Sequence, residues 1–159
     1  MERVAVIMGK MHSGGKKNLV MEYYRNIDKS KVQFDFFCDT DSNAIPQEEI
    51  EKLGGRVYRV APYQNIFKNM SQMKALCKKN KYKIMHSYNG TMNLFSMFVG
   101  WQCGIPIRIS ESISMAHAMC SATIRLDNRE QYSDLVKKAG YDIKIESQKM
   151  QDFYCGIEE

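Results

Sequence analysis

The sequence predicts an α/β fold, a Rossmann-like parallel sheet of about five strands with helices on both faces, plus an all-helical C-terminal tail. Two observations predict it. Short apolar runs rich in β-branched and aromatic residues alternate with stretches whose apolar residues recur at three- and four-residue steps. From about residue 127 onward only the helical periodicity remains. The predicted domains are therefore 1–126, the Rossmann-like part, and 127–159, the helical tail.

The first predicted strand is Arg3–Met8, a uniformly apolar run that is typical of a strand buried on both faces. A glycine-rich loop separates it from a helix at about Lys17–Asn26, whose apolar residues lie at helical spacing. Aromatic and β-branched residues dominate Val32–Asp39, which is therefore the second predicted strand.

A short helix follows from Pro46, since proline is favoured in a first helical turn, and Gly54 and Gly55 end it. Arg56–Val60 is the third predicted strand. Apolar residues then recur at three- and four-residue steps across Ile66–Cys77, which predicts a helix packed on the sheet.

Lys83–Ser87 is the fourth predicted strand, and a very apolar helix is predicted at Met92–Cys103. Gly104 and Pro106 separate that helix from the fifth strand, Ile107–Ser110. A parallel sheet of this kind binds ligands outside the carboxyl ends of its strands.

The tail is predicted to hold two helices, Asn128–Ala139, which Gly140 ends, and Ile143–Tyr154. The second helix has an apolar edge suited to docking on another surface, formed by Ile143, Met150, Phe153 and Tyr154.

Composition excludes several classes of protein. The chain is 44% hydrophobic and 26% charged, and no apolar run approaches the roughly 20 residues of a membrane span. Its five cysteines and three histidines are dispersed without a C-x-x-C spacing, so no metal site is expected. Reduced thiols and the absence of a signal-peptide pattern favour a cytoplasmic location, with the inner face of the membrane as a further possibility.

The net charge of +5 comes partly from a basic run around Tyr82. Such a run fits nucleic acid or an anionic membrane surface, but it is more often the solvated end of a helix. We therefore expect no nucleic-acid partner and at most peripheral membrane contact. The basic residues of the run are Lys74, Lys78, Lys79, Lys81 and Lys83.

The loop after the first strand, GKMHSGGKK, nearly matches the phosphate-binding pattern G-x-x-x-x-G-K-[S/T]. Gly9 and Gly14 have the required separation, but Gly15 displaces the lysine, and Lys17 stands where a metal-binding hydroxyl is needed. We therefore reject a P-loop NTPase. For a dinucleotide site the sequence offers Asp39 as a suitably placed acid, but it lacks the G-x-G-x-x-G pattern. A dinucleotide site therefore remains a weaker alternative. A receiver domain fits less well, since it needs acids directly after the first strand.

Four segments together resemble the N-terminal domain of a retaining GT-B glycosyltransferase. They are RVAVIMGKMHSGGKKNLVMEYYRNIDKSKVQFDFF, EIEKLGGRVYRV, YKIMHSYNG and CGIPIRISES. The resemblance is to family 4, in particular to the bacterial capsular and exopolysaccharide enzymes, and it covers roughly Arg3 to Ser112. It implies a cytoplasmic enzyme of polysaccharide biosynthesis that needs no cofactor and uses a nucleotide sugar as co-substrate.

The resemblance also implies which residues line the cleft. A glycine turn at a helix N-terminus suits the donor diphosphate, with Lys16 or Lys17 adding positive charge; a tight turn with positive φ is the alternative. The expected diphosphate-facing residues are Gly14, Gly15 and Lys16. The expected acceptor-side residues are His86, Asn89, Glu111 and Asp39.

Two of these positions keep an alternative. Asp39, with Asp41, either binds acceptor hydroxyls or caps the loop after its strand. In the fifth loop, ISESISMAH, relatives often have histidines where this sequence has Glu111 and Ile113, and His117 lies downstream. The family's usual active-site histidine is therefore not matched in this loop. His86 alone would more often be a hydrogen-bonded structural residue.

The donor-binding half of such an enzyme carries two glutamates eight positions apart, and no pair in this sequence has that spacing. VKKAGYDIKIESQKMQDFYCGI instead resembles the last helices of full-length relatives. The sequence thus predicts a truncated transferase, an acceptor-side half that is inactive alone. A donor-domain partner chain, or self-association through the fifth strand and tail, is expected, with a glycan or lipid-linked acceptor. A non-catalytic glycan-binding or assembly module, a nucleotide-binding Rossmann protein and a nonfunctional fragment remain alternatives.

Overall fold

The computed structural model of the chain describes residues 1–111 and 143–156. The predicted domain boundary at 126/127, the helix predicted at Asn128–Ala139, Gly140 and His117 all lie outside the described residues.

In the described part of the chain, five strands and five helices alternate in the order that the sequence predicts. The strands are β1 Glu2–Gly9, β2 Val32–Asp39, β3 Arg56–Val60, β4 Ile84–Ser87 and β5 Ile107–Ser110. The helices are α1 Gly15–Asn26, α2 Gln47–Lys52, α3 Ile66–Asn80, α4 Asn93–Gln102 and α5 Ile143–Cys155. Two single 3₁₀ turns, Tyr63–Asn65 and Gly90–Met92, precede α3 and α4.

The strands form one parallel sheet in the order β3-β2-β1-β4-β5. The chain runs outward from β1 to β3 and then crosses back to β4 on the other side of β1. The order therefore reverses between β1 and β4, and open α/β sheets bind ligands beyond the carboxyl ends of their strands at such a reversal. Within the described residues β5 pairs on one side only, with β4.

Helices cover both faces of the sheet. One face packs Val4, Val6 and Met8 of β1 against α1, α2 and α5, while the alternate residues Ala5 and Ile7 pack against α3 and α4. The prediction of a parallel five-stranded sheet with helices on both faces and a helical tail is therefore confirmed. No helix in the ranges 1–111 and 143–156 is both long and apolar enough to cross a bilayer.

An ion pair joins β1 and β2 on the α3–α4 side, and Tyr82, which lies just before β4, hydrogen-bonds to it. The Asp35 carboxylate of β2 is fully buried and accepts hydrogen bonds from Arg3 Nε, at 3.0 Å, and from the Tyr82 hydroxyl, at 2.7 Å. The Asp35 hydrogen bond raises the pKa of the Arg3 guanidinium. A buried carboxylate is tolerated in the sheet because these donors replace its water.

The tail helix α5 completes the core on the α1 side. Tyr154 is 1% exposed, and its ring meets Phe34 of β2 edge to face at 6.1 Å. Gln151 Oε1 accepts a hydrogen bond from the backbone N–H of Asp28, at 2.5 Å, just after α1 ends. Of the predicted docking edge, Tyr154 and Met150 pack against the sheet, whereas Phe153 is exposed.

Candidate functional site

The loops that follow β1 and β4 touch at the reversal point of the sheet. Gly9 adopts φ +59°, and a Cβ added there would lie 2.2 Å from Asn89 Oδ1. Only glycine adopts this conformation without strain and lets the Asn89 side chain approach so closely. Asn89 therefore lies beside the end of β1, and its contact with an acceptor stays a prediction.

The first part of the β1 loop is fixed to the loop after β2. The Met11 N–H donates to Ser42 Oγ at 2.9 Å, and the Ala44 N–H donates to the Met11 carbonyl at 3.3 Å. Lys10 and Asp41 form an ion pair at 2.6 Å. Asp41 thus stabilises the loop pair at the surface.

The second part of the β1 loop leads into the open N-terminus of α1. Gly14 precedes the helix in an extended conformation, φ 161°, and a Cβ there would have no neighbour within 4 Å. Among the described residues no side chain caps this end of α1. The first N–H groups of the helix, beginning at Gly15, lack intrahelical acceptors and carry partial positive charge.

Lys16 lies behind this loop. Its ammonium donates to the Met8 carbonyl at 2.7 Å, at the carboxyl end of β1. Burial lowers the pKa of Lys16, and Asp39 opposes that shift. The side chain therefore stabilises the end of the strand and places a cation close beneath the glycine turn.

Asn93, at the start of α4, connects the ends of β4 and β5. Its Oδ1 accepts hydrogen bonds from the Ser87 hydroxyl at 2.6 Å and from the Asn89 N–H at 2.7 Å. Its Nδ2 donates to Ser110 Oγ at 2.9 Å and to the Glu111 carbonyl at 3.0 Å. One buried amide thus sets the position of both predicted acceptor-side loops.

His86 and Glu111 form the centre of the site. His86 is 3% exposed, and its Nε2 lies 3.0 Å from Glu111 Oε2. On the other side its Nδ1 lies 2.6 Å from the Tyr154 hydroxyl of α5 and 3.2 Å from the Tyr88 hydroxyl. The imidazole also stacks on the Tyr88 ring, with ring centres 4.2 Å apart.

One set of donor and acceptor roles satisfies this chain of groups. Burial raises the pKa of both Tyr88 and Tyr154, so the phenols keep their protons at neutral pH. Tyr154 then donates to Nδ1, and Nε2–H donates to the Glu111 carboxylate, which can only accept. The Glu111 side chain is 36% exposed. It therefore presents a carboxylate to solvent in an orientation set by buried groups.

An open pocket of about 260 Å³ lies beside this pair, between α1, α5 and β5. Its walls are largely apolar, and His86 and Tyr154 reach it from the core. The Glu146 and Lys149 ion pair of α5, at 2.9 Å, lies at its edge. The remaining lining residues are Tyr23, Ile109, Met150 and Phe153.

Asp39 lies apart from this centre. It is 1% exposed, and its carboxylate accepts hydrogen bonds from the Tyr63 N–H at 3.3 Å and from Asn69 Nδ2 at 3.5 Å. Burial raises the pKa of the Asp39 carboxyl. The carboxylate thus contacts the turn after β3 and α3. A contact between Asp39 and an acceptor stays a prediction.

The structure thus brings His86 and Glu111 together and places Asn89 on the adjoining loop. Sequence reasoning missed Asn93 and the contact between Tyr154 and His86. An asparagine at a helix start, three residues after Gly90, was the available signal for Asn93. In residues 1–111 and 143–156 no three His, Cys, Asp or Glu side chains form a group that could hold a metal ion.

Comparisons with known proteins support the same kind of fold. No protein-family model matches the chain. Over 114 residues it is 31% identical to the putative glycosyltransferase EpsF of Bacillus subtilis (strain 168), a match that covers 70% of this chain and 30% of that protein. The matched segment is therefore a glycosyltransferase-like domain.

Solved structures give the fold. The crystal structure of Acinetobacter baumannii MurG matches with a TM-score of 0.52 and 12% identity, over 69% of this chain and 34% of that one. The calicheamicin glycosyltransferase CalG4 matches with a TM-score of 0.43 and 10% identity, over 96% of this chain and 46% of that one. The Rossmann-like fold is similar to that of GT-B structures. The chain spans about a third of the length of EpsF and MurG.

Proposed function

We propose that this chain is the acceptor-side half of a nucleotide-sugar-dependent glycosyltransferase in polysaccharide biosynthesis. The observation that carries the proposal is the Glu111 carboxylate, which buried His86 holds at the carboxyl edge of the sheet, one strand away from the reversal point. The similarity to a putative glycosyltransferase supports it. The finer assignment that we propose is a retaining, family 4 enzyme of the capsular or exopolysaccharide type.

Glu111 is the group that contacts the acceptor. A carboxylate accepts strong hydrogen bonds from sugar hydroxyls, and a rigid one fixes the hydroxyl that reacts. His86 acts through Glu111 as a positioning residue, since its ring is buried. Asn89, on the neighbouring loop, adds an amide that both donates and accepts.

The donor diphosphate faces the N-terminus of α1. Gly14 leaves this end sterically open, and the N–H groups that begin at Gly15 suit an anion. Lys16 adds positive charge from behind the turn while it stays bonded to the Met8 carbonyl. These groups give a weak phosphate contact, because most of the donor is held by a donor-binding domain.

We further propose that a partner chain supplies the donor-binding domain. No two glutamates of this sequence have the eight-residue separation of that domain's hallmark pair. The chain alone then binds acceptor but does not transfer sugar. A non-catalytic glycan-binding module would bind acceptor in the same way and would stay inactive with any partner.

Amide NMR titration of the ¹⁵N-labelled chain tests the two halves of the proposal. We expect UDP, UDP-glucose, ADP and NAD to give at most millimolar shifts near Gly14 and Gly15. Oligosaccharide acceptors should instead shift the amides of Asn89 and Glu111 and saturate. Glu111→Gln should weaken that binding about tenfold, because it removes the charged acceptor.

Glu48→Gln serves as the matched control, since Glu48 lies on the surface of α2 and should leave acceptor binding unchanged. Tight binding of ADP or NAD with shifts that reach Asp39 would overturn the transferase assignment in favour of a nucleotide-binding Rossmann protein. Equal glycan binding by wild type and Glu111→Gln would remove Glu111 from the site.

A further inference from the structure

Two cysteines that are far apart in sequence lie together where α3 packs on α4. Cys77 is in the last turns of α3, and Cys103 directly follows α4. Cys77 is 2% exposed and belongs to the apolar core on this side of the sheet. Cys103 packs against the same core but is partly exposed. The site around His86 and Glu111 uses neither thiol.

Two contacts hold the end of α4 against the turn of α3 that carries Cys77. The Cys103 thiol donates a weak hydrogen bond to the Lys74 carbonyl, with 3.7 Å between sulfur and oxygen. Lys74 Nζ donates to Gln102 Oε1 at 2.9 Å. Lys74 precedes Cys77 by three residues, so the two belong to the same helical turn. The Cys103 sulfur therefore lies beside the turn that carries the second thiol.

The charges around the pair make the two thiols unequal. Burial raises the pKa of Cys77 to about 12, and the nearby Cys103 thiol adds to this rise. Burial also raises the pKa of Cys103, but Lys74, Lys78 and the Cys77 thiol all oppose that shift. Each thiol thus affects the ionisation of the other. Cys103, which solvent reaches and whose thiolate the two lysines favour, is the thiol that reacts first.

We propose that Cys77 and Cys103 form a reversible disulfide site that exchanges with an anionic small-molecule disulfide. The Cys103 thiolate attacks one sulfur of that molecule, so a mixed disulfide forms, the original S–S bond breaks and one thiolate leaves. Cys77 then attacks Cys103 Sγ, and the second thiolate leaves. Each protein thiol gives up its proton, and each leaving thiolate takes one up. Two electrons pass to the small disulfide, which becomes two thiols.

The arrangement offers more than apolar packing requires. A single buried cysteine packs as a small hydrophobic residue. Here the core thiol of Cys77 has a second thiol beside it, and that second thiol is reached from solvent next to two lysines. The lysines favour an anionic reagent. Cys77 itself needs no access to solvent, because it attacks a sulfur that lies next to it.

Closure of this disulfide would change the mechanics of the fold. The bond would join α3 to α4 and would enclose β4 and the loop of Asn89 in one covalent ring. Such a ring lowers the entropy of the unfolded chain, so the oxidised form should be the more stable one. The inference concerns the face of the sheet that α3 and α4 cover, and it does not rest on the proposed function.

A redox titration with peptide mapping tests the proposal. The reduced 159-residue chain is equilibrated without oxygen in a series of ratios of oxidised to reduced glutathione, quenched with acid and alkylated. Trypsin leaves the two cysteines on separate peptides, 75–78 and 84–108, so mass spectrometry detects the disulfide as a linked pair. We expect this pair to be the main product, and the oxidised chain to unfold at a temperature roughly 5–10 °C higher.

Three single variants separate the steps. Cys77→Ser should leave Cys103 as a mixed disulfide with glutathione, because the second step is lost. Cys103→Ser should slow the modification of Cys77 at least about tenfold, because Cys77 is buried. Cys103 is partly exposed, so this variant also serves if the change at Cys77 prevents folding. Cys155→Ser is the matched control, since it removes a partly exposed thiol of α5 and should leave the yield of the linked pair unchanged.

Three results would overturn the proposal. The first is wild-type chain that accumulates glutathione on Cys103 without forming the linked pair, which would mean that the two sulfurs do not meet. The second is a main disulfide that uses Cys38, Cys120 or Cys155 instead. The third is a native chain that stays fully reduced at ratios that modify the unfolded chain, which would mean that the reagent does not reach Cys103.

Discussion

Gly9 is the residue whose identity the local geometry demands most strictly. It has φ +59°, and a Cβ there would lie 2.2 Å from the Asn89 side chain. We therefore expect Gly9→Ala to lower the free energy of unfolding by about 2 kcal/mol, through left-handed strain and displacement of Asn89. Urea denaturation measures this value.

Gly14→Ala is the matched control in the same loop. Gly14 has an extended backbone and no neighbour within 4 Å of an added Cβ, so its free energy of unfolding should change by less than about 0.5 kcal/mol. If Gly14→Ala proved the more destabilising of the two, the contact between the β1 and β4 loops would not be the feature that needs glycine.

Asp39 makes the stability of the folded chain depend on pH. Burial raises the pKa of its carboxyl in the folded chain above the ordinary value of 3.8. The folded state then holds its proton to higher pH than the unfolded state, so the protein loses stability as pH rises from about 3.8 through the raised pKa.

Asp39→Asn removes this titration. The variant should therefore gain stability relative to wild type as pH rises from below 3.8 to neutrality. Thermal unfolding at a series of pH values measures the difference. A relative loss over the same range would mean that the Tyr63 N–H, rather than burial, dominates the pKa of Asp39.

At the scale of the element, α5 acts as part of the core although it follows in sequence long after the sheet. Tyr154 is 1% exposed and bonds to His86, whereas its neighbour Phe153 is 55% exposed. Tyr154→Ala should lower the free energy of unfolding by about 3 kcal/mol, because it leaves a cavity and removes the shorter of the two hydrogen bonds at His86 Nδ1.

Phe153→Ala provides the comparison one position away, with an expected loss below about 1 kcal/mol. Urea denaturation followed by far-ultraviolet circular dichroism gives both values. Similar losses for the two variants would show that α5 does not dock through Tyr154. Trp101 fluorescence can follow the same unfolding, since both variants retain Trp101.

Element bounds were largely predictable because a buried parallel strand is nearly all apolar. Val32–Asp39, Arg56–Val60 and Ile107–Ser110 are observed as predicted. Two 3₁₀ turns were not predicted. They lie just before α3 and α4, where a single turn has no periodicity that a sequence pattern could reveal.

The candidate site was predictable only in part. His86 lies near the carboxyl end of β4 and Glu111 directly follows the neighbouring β5, so their proximity follows from the strand order. The contact between His86 and Tyr154 spans 68 residues and depends on how α5 docks. Lys16 was predicted to face a phosphate, and its bond to the Met8 carbonyl depends on a side-chain conformation that no pattern encodes.

At the scale of the whole molecule, the accessibility of the thiols follows from the helices that cover both faces of the sheet. Cys38 and Cys77 are buried, one on each face, and burial raises the pKa of each to about 12. Cys103 and Cys155 are partly exposed. Alkylation at pH 8, mapped by peptide mass spectrometry, should therefore label Cys103 and Cys155 first.

Labelling of Cys38 and Cys77 should require global opening of the fold and should accelerate in low urea. The reference is the fully unfolded chain, in which these four thiols should react at similar rates. If Cys38 were labelled in the native state as fast as Cys155, the α1 side of the sheet would open locally.

The docking of α5 also has a consequence for biosynthesis. A ribosome makes the chain from its N-terminus at roughly 5–20 residues per second. Phe34 and the rest of the α1 side are synthesised early, but the tyrosine that covers them, Tyr154, follows on the order of ten seconds later. During that interval the nascent chain exposes an apolar sheet face. We expect it to be a client of ribosome-associated chaperones until α5 has been translated.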